Sequence, residues 1–117
     1  MKKIIHLDNS EFFRKLVKTF LEGEGFEVES FKDTQDASLS IASGTANMVI
    51  MGLTFVDIKG EDFLVRIKES FEGPVVVISS SVDKSKEAAL VAKGAKAAIN
   101  KSGPWKDELK LHLSALV

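Results

Sequence analysis

The chain has 117 residues, of which 44% are apolar and 28% are charged, a composition that fits one ordinary globular domain. Its 16 basic and 17 acidic side chains leave a net charge of −1, which disfavours binding to nucleic acid or to an anionic membrane. There is no cysteine, so disulfides, thiolate zinc sites and cysteine nucleophiles are excluded. The apolar run after Met1 has no cleavage site and is too short to span a bilayer, so we expect a cytoplasmic protein.

The first half of the chain begins with an apolar run at residues 4–7, which predicts a strand. The polar residues Asp8-Asn9-Ser10 follow and suit the start of a helix. That helix carries apolar residues at the spacing of one face: Phe12, Phe13, Leu16, Val17, Phe20 and Leu21. Residues 26–30 alternate and predict an edge strand, and a weaker helix with Ala37 and Ile41 on one side comes next.

The third apolar run, at residues 47–53, contains four consecutive apolar residues and predicts a strand that is buried on both faces. A third helix follows, with Phe63, Leu64, Ile67 and Phe71 as its apolar positions. A β-branched strand is predicted at 75–78, an alanine-rich helix at about 83–93 and a short strand at 97–99. The last helix has these residues on one face: Trp105, Leu109, Leu113 and Leu116.

Five strands that alternate with five helices predict an α/β protein, a doubly wound parallel sheet with helices on both faces and one domain over 1–117. The carboxyl ends of parallel strands meet at one edge of such a sheet. We therefore expect Asp8, Asn9, Gly52, Ser79 and Lys101 to converge there. The glycine-rich loops that bind nucleotide phosphates, GxGxxG and GxxxxGK[ST], are absent after these strands.

In this order and spacing the residues resemble the receiver domain of two-component response regulators, over nearly the whole chain. The resemblance implies a flavodoxin-like (βα)5 fold with strand order 2-1-3-4-5. It also implies a role for each matching position. Leu7-Asp8-Asn9 falls on the family's acid pair, Gly60 on its downstream glycine, Ser79 on its hydroxyl residue, Lys101 on its lysine and Gly94-Ala95 on its Gly-Ala pair.

The resemblance places Gly52, eight residues before Gly60, at the position of the phospho-accepting aspartate. Glycine has no oxygen to phosphorylate, and Asn9 stands where the family has a second acid. Asp8 with the Thr54 carbonyl should hold Mg²⁺ poorly, since this ion prefers several charged oxygen ligands. We therefore expect no phosphoacceptor, no enzymatic activity, no cofactor and weak or lost Mg²⁺ binding.

The family's switch and partner face also has a counterpart here. Ala98 stands at the aromatic switch position, so the usual ring is missing. The fourth helix with Ala88 and Ala92, the fifth strand and the Trp105 helix would form a surface for a protein partner or a homodimer. Alternatively, the alanines only pack a thin helix onto the sheet, and Trp105 covers the lower end of the fifth strand.

Purely structural roles remain open for the same residues. Asp8 and Asn9 could cap a helix, Lys101 could form a salt bridge with Asp8, and Ser79 could turn the chain after its strand. His6 lies inside a central strand, where a hydrogen-bonded core histidine is expected rather than a phosphotransfer site.

Three functions follow from these residues. The leading hypothesis is a receiver that has lost aspartyl phosphorylation and works through contacts with proteins in a signalling pathway, without binding nucleic acid or membrane. The second is an active receiver phosphorylated on a displaced acid, Asp57 or Asp8. The third is a small flavodoxin-like enzyme or ligand binder that uses Asp8, Ser79 and Lys101.

Overall fold

The computed structural model describes residues 1–116 and contains a five-stranded parallel sheet in the order β2-β1-β3-β4-β5. Residue 117 of the predicted domain lies outside the described residues. The strands are β1 (Lys3–Leu7), β2 (Glu27–Phe31), β3 (Met48–Met51), β4 (Val75–Ser79) and β5 (Ala97–Asn100). The helices are α1 (Glu11–Gly23), α2 (Thr34–Ala42), α3 (Gly60–Lys68), α4 (Lys84–Ala92) and α5 (Trp105–Leu113), with a 3₁₀ turn at Ser114–Leu116. The predicted flavodoxin-like order of strands and helices is confirmed.

Helices cover both faces of the sheet, as predicted. The face covered by α2, α3 and α4 buries residues such as Ala37, Phe63 and Leu90 against the strands. The opposite face is covered by α1 and α5, which contribute Val17 and Leu109 among others. All four residues of β3 have no exposed surface, which confirms a strand buried on both faces.

The apolar stripe of α1 is divided between the core and the surface. Phe13, Val17 and Leu21 pack into the core, as predicted. Phe12 is 74% exposed and Leu16 is 37% exposed, so the six apolar residues predicted to share one helical face are not all buried. The apolar residues of α1 cover more of the helix circumference than the sheet contacts. About half of them therefore face outward.

No helix within residues 1–116 has both the length and the apolar composition needed to cross a bilayer.

The α4 helix is only lightly anchored, since Leu90 is its one buried residue. Glu61 at the start of α3 helps to hold α4 in place. The Glu61 carboxylate accepts hydrogen bonds from the ammonium groups of Lys86 and Lys93, the latter at 2.8 Å. These hydrogen bonds lower the pKa of Glu61 to about 2.

His6 lies in the middle of β1 with no exposed surface, beside Ser30 of β2 and Ile50 of β3. It is a core residue, as predicted, but the predicted hydrogen bond is wrong, because neither ring nitrogen has a partner among the described residues. The Phe13 ring stands edge-on to it at 6.2 Å. Burial lowers the pKa of His6 from 6.5 to about 4, so the ring is neutral at pH 7.

Candidate functional site

The carboxyl ends of β1, β3, β4 and β5 enclose a small polar cavity of about 180 Å³. Each of the six residues predicted for the pocket lines this cavity: Asp8, Asn9, Gly52, Thr54, Ser79 and Lys101. Asp8 and Ser79 are buried, while Asn9 and Thr54 are exposed at its rim. The parallel sheet thus brings together residues from four separate parts of the sequence.

Asp8 supplies the one buried carboxylate of the cavity and is 2% exposed. Its Oδ1 atom accepts the backbone N–H of Ser10 at 2.8 Å. Its Oδ2 atom lies 2.9 Å from Lys101 Nζ, an ion pair whose angles fall outside those of a hydrogen bond. Oδ1 therefore already accepts a hydrogen bond, and Oδ2 faces the Lys101 ammonium group.

The Lys101 side chain is held in place by a second contact. Its Nζ atom lies 4.4 Å from the centre of the Phe13 ring, within the range of a cation–π interaction. Its backbone N–H donates to the Ser79 carbonyl at 3.2 Å. Lys101 is 24% exposed, and the predicted salt bridge to Asp8 is the arrangement that the structure contains.

Gly52 directly follows β3, and its lack of a side chain leaves room beside the Asp8 carboxylate. A Cβ atom built on Gly52 would lie 3.2 Å from Asp8 Oδ2 and 3.8 Å from the Ile78 carbonyl oxygen. The glycines with positive φ are Gly25, Gly44 and Gly94, so the backbone of Gly52 would accept a side chain without strain. The nearest obstacle to a Cβ atom here is the Asp8 carboxylate, which would have to move by a few tenths of an ångström.

Ser79 and the residues after β1 also have local structural roles. The Ser79 hydroxyl lies 3.0 Å from the Ser81 hydroxyl and accepts the Ser81 backbone N–H at 3.3 Å, which closes a turn after β4. The α1 helix is capped by Ser10, whose hydroxyl accepts the Phe13 N–H at 3.2 Å. The predicted helix start at Asp8-Asn9-Ser10 is therefore confirmed at Ser10, whereas the alternative that Asp8 and Asn9 are themselves the cap was wrong.

Asp57, the predicted substitute acid, lies outside the cavity. It is exposed on the loop between β3 and α3, and its carboxylate accepts a hydrogen bond from the Thr34 hydroxyl. The shallow depression around it is formed by that loop, residues 53–59. The structure therefore does not bring Asp57 together with Ser79 and Lys101.

The four residues predicted for a partner face do not share one surface. Ala98 is 6% exposed and faces the α2, α3 and α4 side of the sheet. Trp105 is 9% exposed and packs on the α1 and α5 side, so it is not a surface anchor. Ala88 and Ala92 are exposed on α4, so the alternative that they pack this helix onto the sheet was wrong.

A row of aromatic rings beside the cavity was missed by the sequence analysis. The Phe13 ring, which lies under Lys101, is 5.1 Å from the Trp105 ring, and Trp105 is 5.6 Å from Phe20. Both contacts are edge-to-face, the geometry that aromatic pairs prefer. They join α1 to the start of α5, and no local sequence pattern identifies a contact between residues so far apart.

Position 60, beside the cavity, requires glycine because the backbone of Leu53 lies too close for a side chain. A Cβ atom at this position would lie 2.5 Å from Leu53 Cα and 2.7 Å from the Leu53 carbonyl oxygen. Gly60→Ala should therefore lower the free energy of unfolding by about 2 kcal/mol in urea titrations, because the backbone must shift. Gly23→Ala is the matched control, since its Cβ would meet nothing within 4 Å. Equal stability of the two variants would contradict the tight contact.

Comparison with known proteins gives a consistent picture. The family model described as "Response regulator receiver domain" matches residues 4–113. Regulatory protein VanRc of Enterococcus gallinarum is 29% identical over 79 residues, which cover 68% of this chain and 34% of that protein. KDP operon transcriptional regulatory protein KdpE of Escherichia coli (strain K12) is 25% identical over 95 residues, 81% of this chain and 42% of that protein. The chain thus matches less than half the length of either relative.

The fold has close counterparts among solved structures. The chemotaxis protein CheY4 of Vibrio cholerae superposes with a TM-score of 0.86 at 20% identity, and the match covers 100% of this chain and 99% of that one. At this identity the likeness shows the CheY-like fold alone. The family match over residues 4–113 carries the assignment beyond the fold.

Proposed function

The chain belongs to the response regulator receiver domain family, and from that premise we propose a receiver that works without aspartyl phosphorylation, through protein–protein contacts. Receiver domains of two-component response regulators interact with proteins in signalling. The observation that carries the proposal is the pairing of Gly52 with the buried Asp8 carboxylate. By its spacing from Gly60, Gly52 stands for the phospho-accepting aspartate of the family.

Phosphorylation of a receiver requires a carboxylate oxygen that can attack the phosphoryl donor. Gly52 supplies none. The Asp8 oxygens are occupied by the Ser10 N–H and by Lys101, and the carboxylate is 2% exposed. The lysine that would otherwise face a phosphoryl group is thus engaged inside the protein, which supports a receiver without this trigger.

The ligands for Mg²⁺ are also poorly suited. Asp8 is the single carboxylate of the cavity, and Lys101 already neutralises it. Among residues 1–116 there is no group of three or more His, Cys, Asp or Glu side chains that could hold a metal ion. We infer that Mg²⁺ binding is weak or lost and that the domain is a non-enzymatic signalling module without a cofactor, working in the cytoplasm.

The contacts of the proposed module are with proteins rather than with nucleic acid or membrane, in keeping with a net charge of −1. A homodimer through α4, β5 and α5 would rest on the exposed Ala88 and Ala92, because Ala98 and Trp105 are buried. The most exposed apolar residues of α1 and α5 are Phe12 and Leu111, at 74% and 73%.

Titration with beryllofluoride and Mg²⁺, a mimic of the phosphoryl group, tests this function. Trp105 is the one tryptophan and should report on the cavity, because Phe13 lies between it and Lys101. We expect no saturable, Mg²⁺-dependent change in Trp105 fluorescence. The Gly52→Asp/Asn9→Asp variant is the positive control, since it restores both acids and should respond. A saturable response of the unaltered protein would refute the proposal.

A further inference from the structure

A larger cavity, of about 520 Å³, lies at the opposite edge of the sheet from Asp8 and Lys101. It is lined by Met48 at the start of β3, Pro74 just before β4, residues 94–96 just before β5 and the end of α5. Because all the strands are parallel, their amino ends meet at this edge. Among the described residues, none lines both cavities. The volume is that of a small-molecule site.

We propose that this amino-edge cavity binds a small organic acid, a molecule with one anionic head group and an apolar body. The ligand is held without a covalent bond, at the edge of the sheet that the proposed function does not use. The inference therefore goes beyond the proposed function and does not depend on it. It gives the domain a binding site for a second kind of signal, a soluble metabolite rather than a phosphoryl group.

The inner wall of the amino-edge cavity is apolar. Met48 has no exposed surface and Ala95 is 4% exposed, so both line the cavity from the side of the core. Pro74, Ala115 and Leu116 add further apolar surface around them. A lining of this kind favours the apolar body of a ligand, because its surface leaves water when it binds.

Lys68 of α3 holds an ammonium group at a defined place in the lining. Its stem packs against Gly94, where a Cβ atom would lie 2.9 Å from Lys68 Cγ, and Gly94 has a φ of +115°. Its Nζ atom donates to the Gly73 carbonyl at 2.8 Å. An ammonium group has three N–H donors, so donors remain for a ligand after this bond is made. The closely packed stem thus positions a cation that can receive an anionic head group.

The charged side chains of the lining favour an anion over a cation. Lys68 and Lys96 stand against one acid, Glu72, and none of the three takes part in an ion pair within residues 1–116. Glu72 is exposed and also lines the neighbouring depression, whereas His112 is half-buried and offers a further N–H donor. The carbonyl ends of α3 and α5 at this edge disfavour an anion, so the head group belongs beside the two lysines.

Nuclear magnetic resonance of the methionine methyl groups tests the site, because Met48 lines the cavity and Met51 lies at the other end of the same strand. The probe is 4-phenylbutyrate, which should shift the Met48 signal saturably and leave Met51 unchanged. 4-Phenylbutanol should bind about tenfold more weakly, since it lacks the charge-assisted hydrogen bond. 4-Phenylbutylamine, with the opposite charge, and inorganic phosphate, without an apolar body, should leave Met48 unchanged.

Two variants with matched controls locate the binding. Lys68→Met should weaken the binding of 4-phenylbutyrate about tenfold, whereas Lys84→Met, at an exposed lysine of α4 outside the lining, should not. Ala115→Phe should abolish binding, because its ring fills part of the cavity, and Ala88→Phe should not. Ala115 and Ala88 are both exposed, so both variants should fold, which circular dichroism checks.

Three outcomes would overturn the inference. The first is the lack of a saturable Met48 shift up to about 10 mM 4-phenylbutyrate. The second is equal affinity for the acid and the alcohol, which would remove the role of the lysines. The third is equal binding by Ala115→Phe and Ala88→Phe, which would place the ligand elsewhere. These experiments contain neither a phosphoryl donor nor Mg²⁺, so their failure is distinct from a failure of the proposed function.

Discussion

Replacing Lys101 with methionine is expected to lower the free energy of unfolding by about 3 kcal/mol at pH 7. Methionine keeps much of the length of the side chain but removes the charge. The Asp8 carboxylate would then remain buried at 2% exposure, with Oδ1 bonded to Ser10 and no ion-pair partner within 4 Å among the described residues, since the Arg14 guanidinium bonds to the Asp8 backbone carbonyl instead. A buried charge without its partner is costly, because the protein interior solvates it poorly. Urea titration monitored by circular dichroism measures the change.

Asp8→Asn should lower the free energy of unfolding by less than half as much as Lys101→Met does. Asparagine can still accept the Ser10 N–H through Oδ1, and Lys101, which is 24% exposed, can turn its ammonium group toward water. Lys86→Met is the control for a pair nearer the surface, since Lys86 and Glu61 are 34% and 29% exposed and Lys93 still pairs with Glu61. Its effect should stay below about 1 kcal/mol. Equal costs for Lys101→Met and Lys86→Met would contradict a buried, structural Asp8–Lys101 pair.

Acid should destabilise the protein through His6, by about 3 kcal/mol between pH 7 and pH 4. This figure corresponds to the fall in the pKa of His6 from 6.5 to about 4. The unfolded chain takes up the proton as the pH falls through 6.5, whereas the folded protein resists it until about pH 4. The contribution of His6 to stability is therefore complete above pH 6.5 and is lost progressively below it.

His6→Val should remove most of this loss, because valine suits the interior of a strand and has no proton to bind. Unfolding free energies measured at several pH values should form a much flatter curve for the variant between pH 6.5 and pH 4. His112→Gln, which removes the other histidine, is the control and should keep the curve of the unaltered protein. A His6→Val variant that loses stability as steeply as the unaltered protein would show that other groups cause the acid sensitivity.

The fold was predictable because each strand and helix carries its own local pattern. The unbroken apolar run of β3 indicated a strand buried on both faces, and the glycines and prolines between the patterns separated the elements. The convergence of Asp8, Gly52, Ser79 and Lys101 then followed from the geometry of parallel strands, which place their carboxyl ends at one edge.

The orientation of α1 was not predictable, because two adjacent lines of its surface are apolar. Phe13, Val17 and Leu21 form one line and Phe12, Leu16 and Phe20 the other, so periodicity alone does not decide which faces the sheet. The packing of Trp105 against Phe13 depends on the contact between α1 and α5, whose sequences are far apart. Ala98 and Trp105 were wrongly assigned to one exposed surface for a similar reason, since only the three-dimensional packing shows that they are buried on opposite faces of the sheet.

Mass spectrometry of the intact protein after incubation with acetyl phosphate and Mg²⁺ tests the central claim most directly. We expect the mass to remain unchanged, while the Gly52→Asp/Asn9→Asp variant gains the mass of one phosphoryl group under the same conditions. An acid-labile phosphoryl group on the unaltered protein would contradict the account. Digestion would then locate it, and its presence on Asp57 or Asp8 would establish a receiver that is still phosphorylated, on a displaced acid.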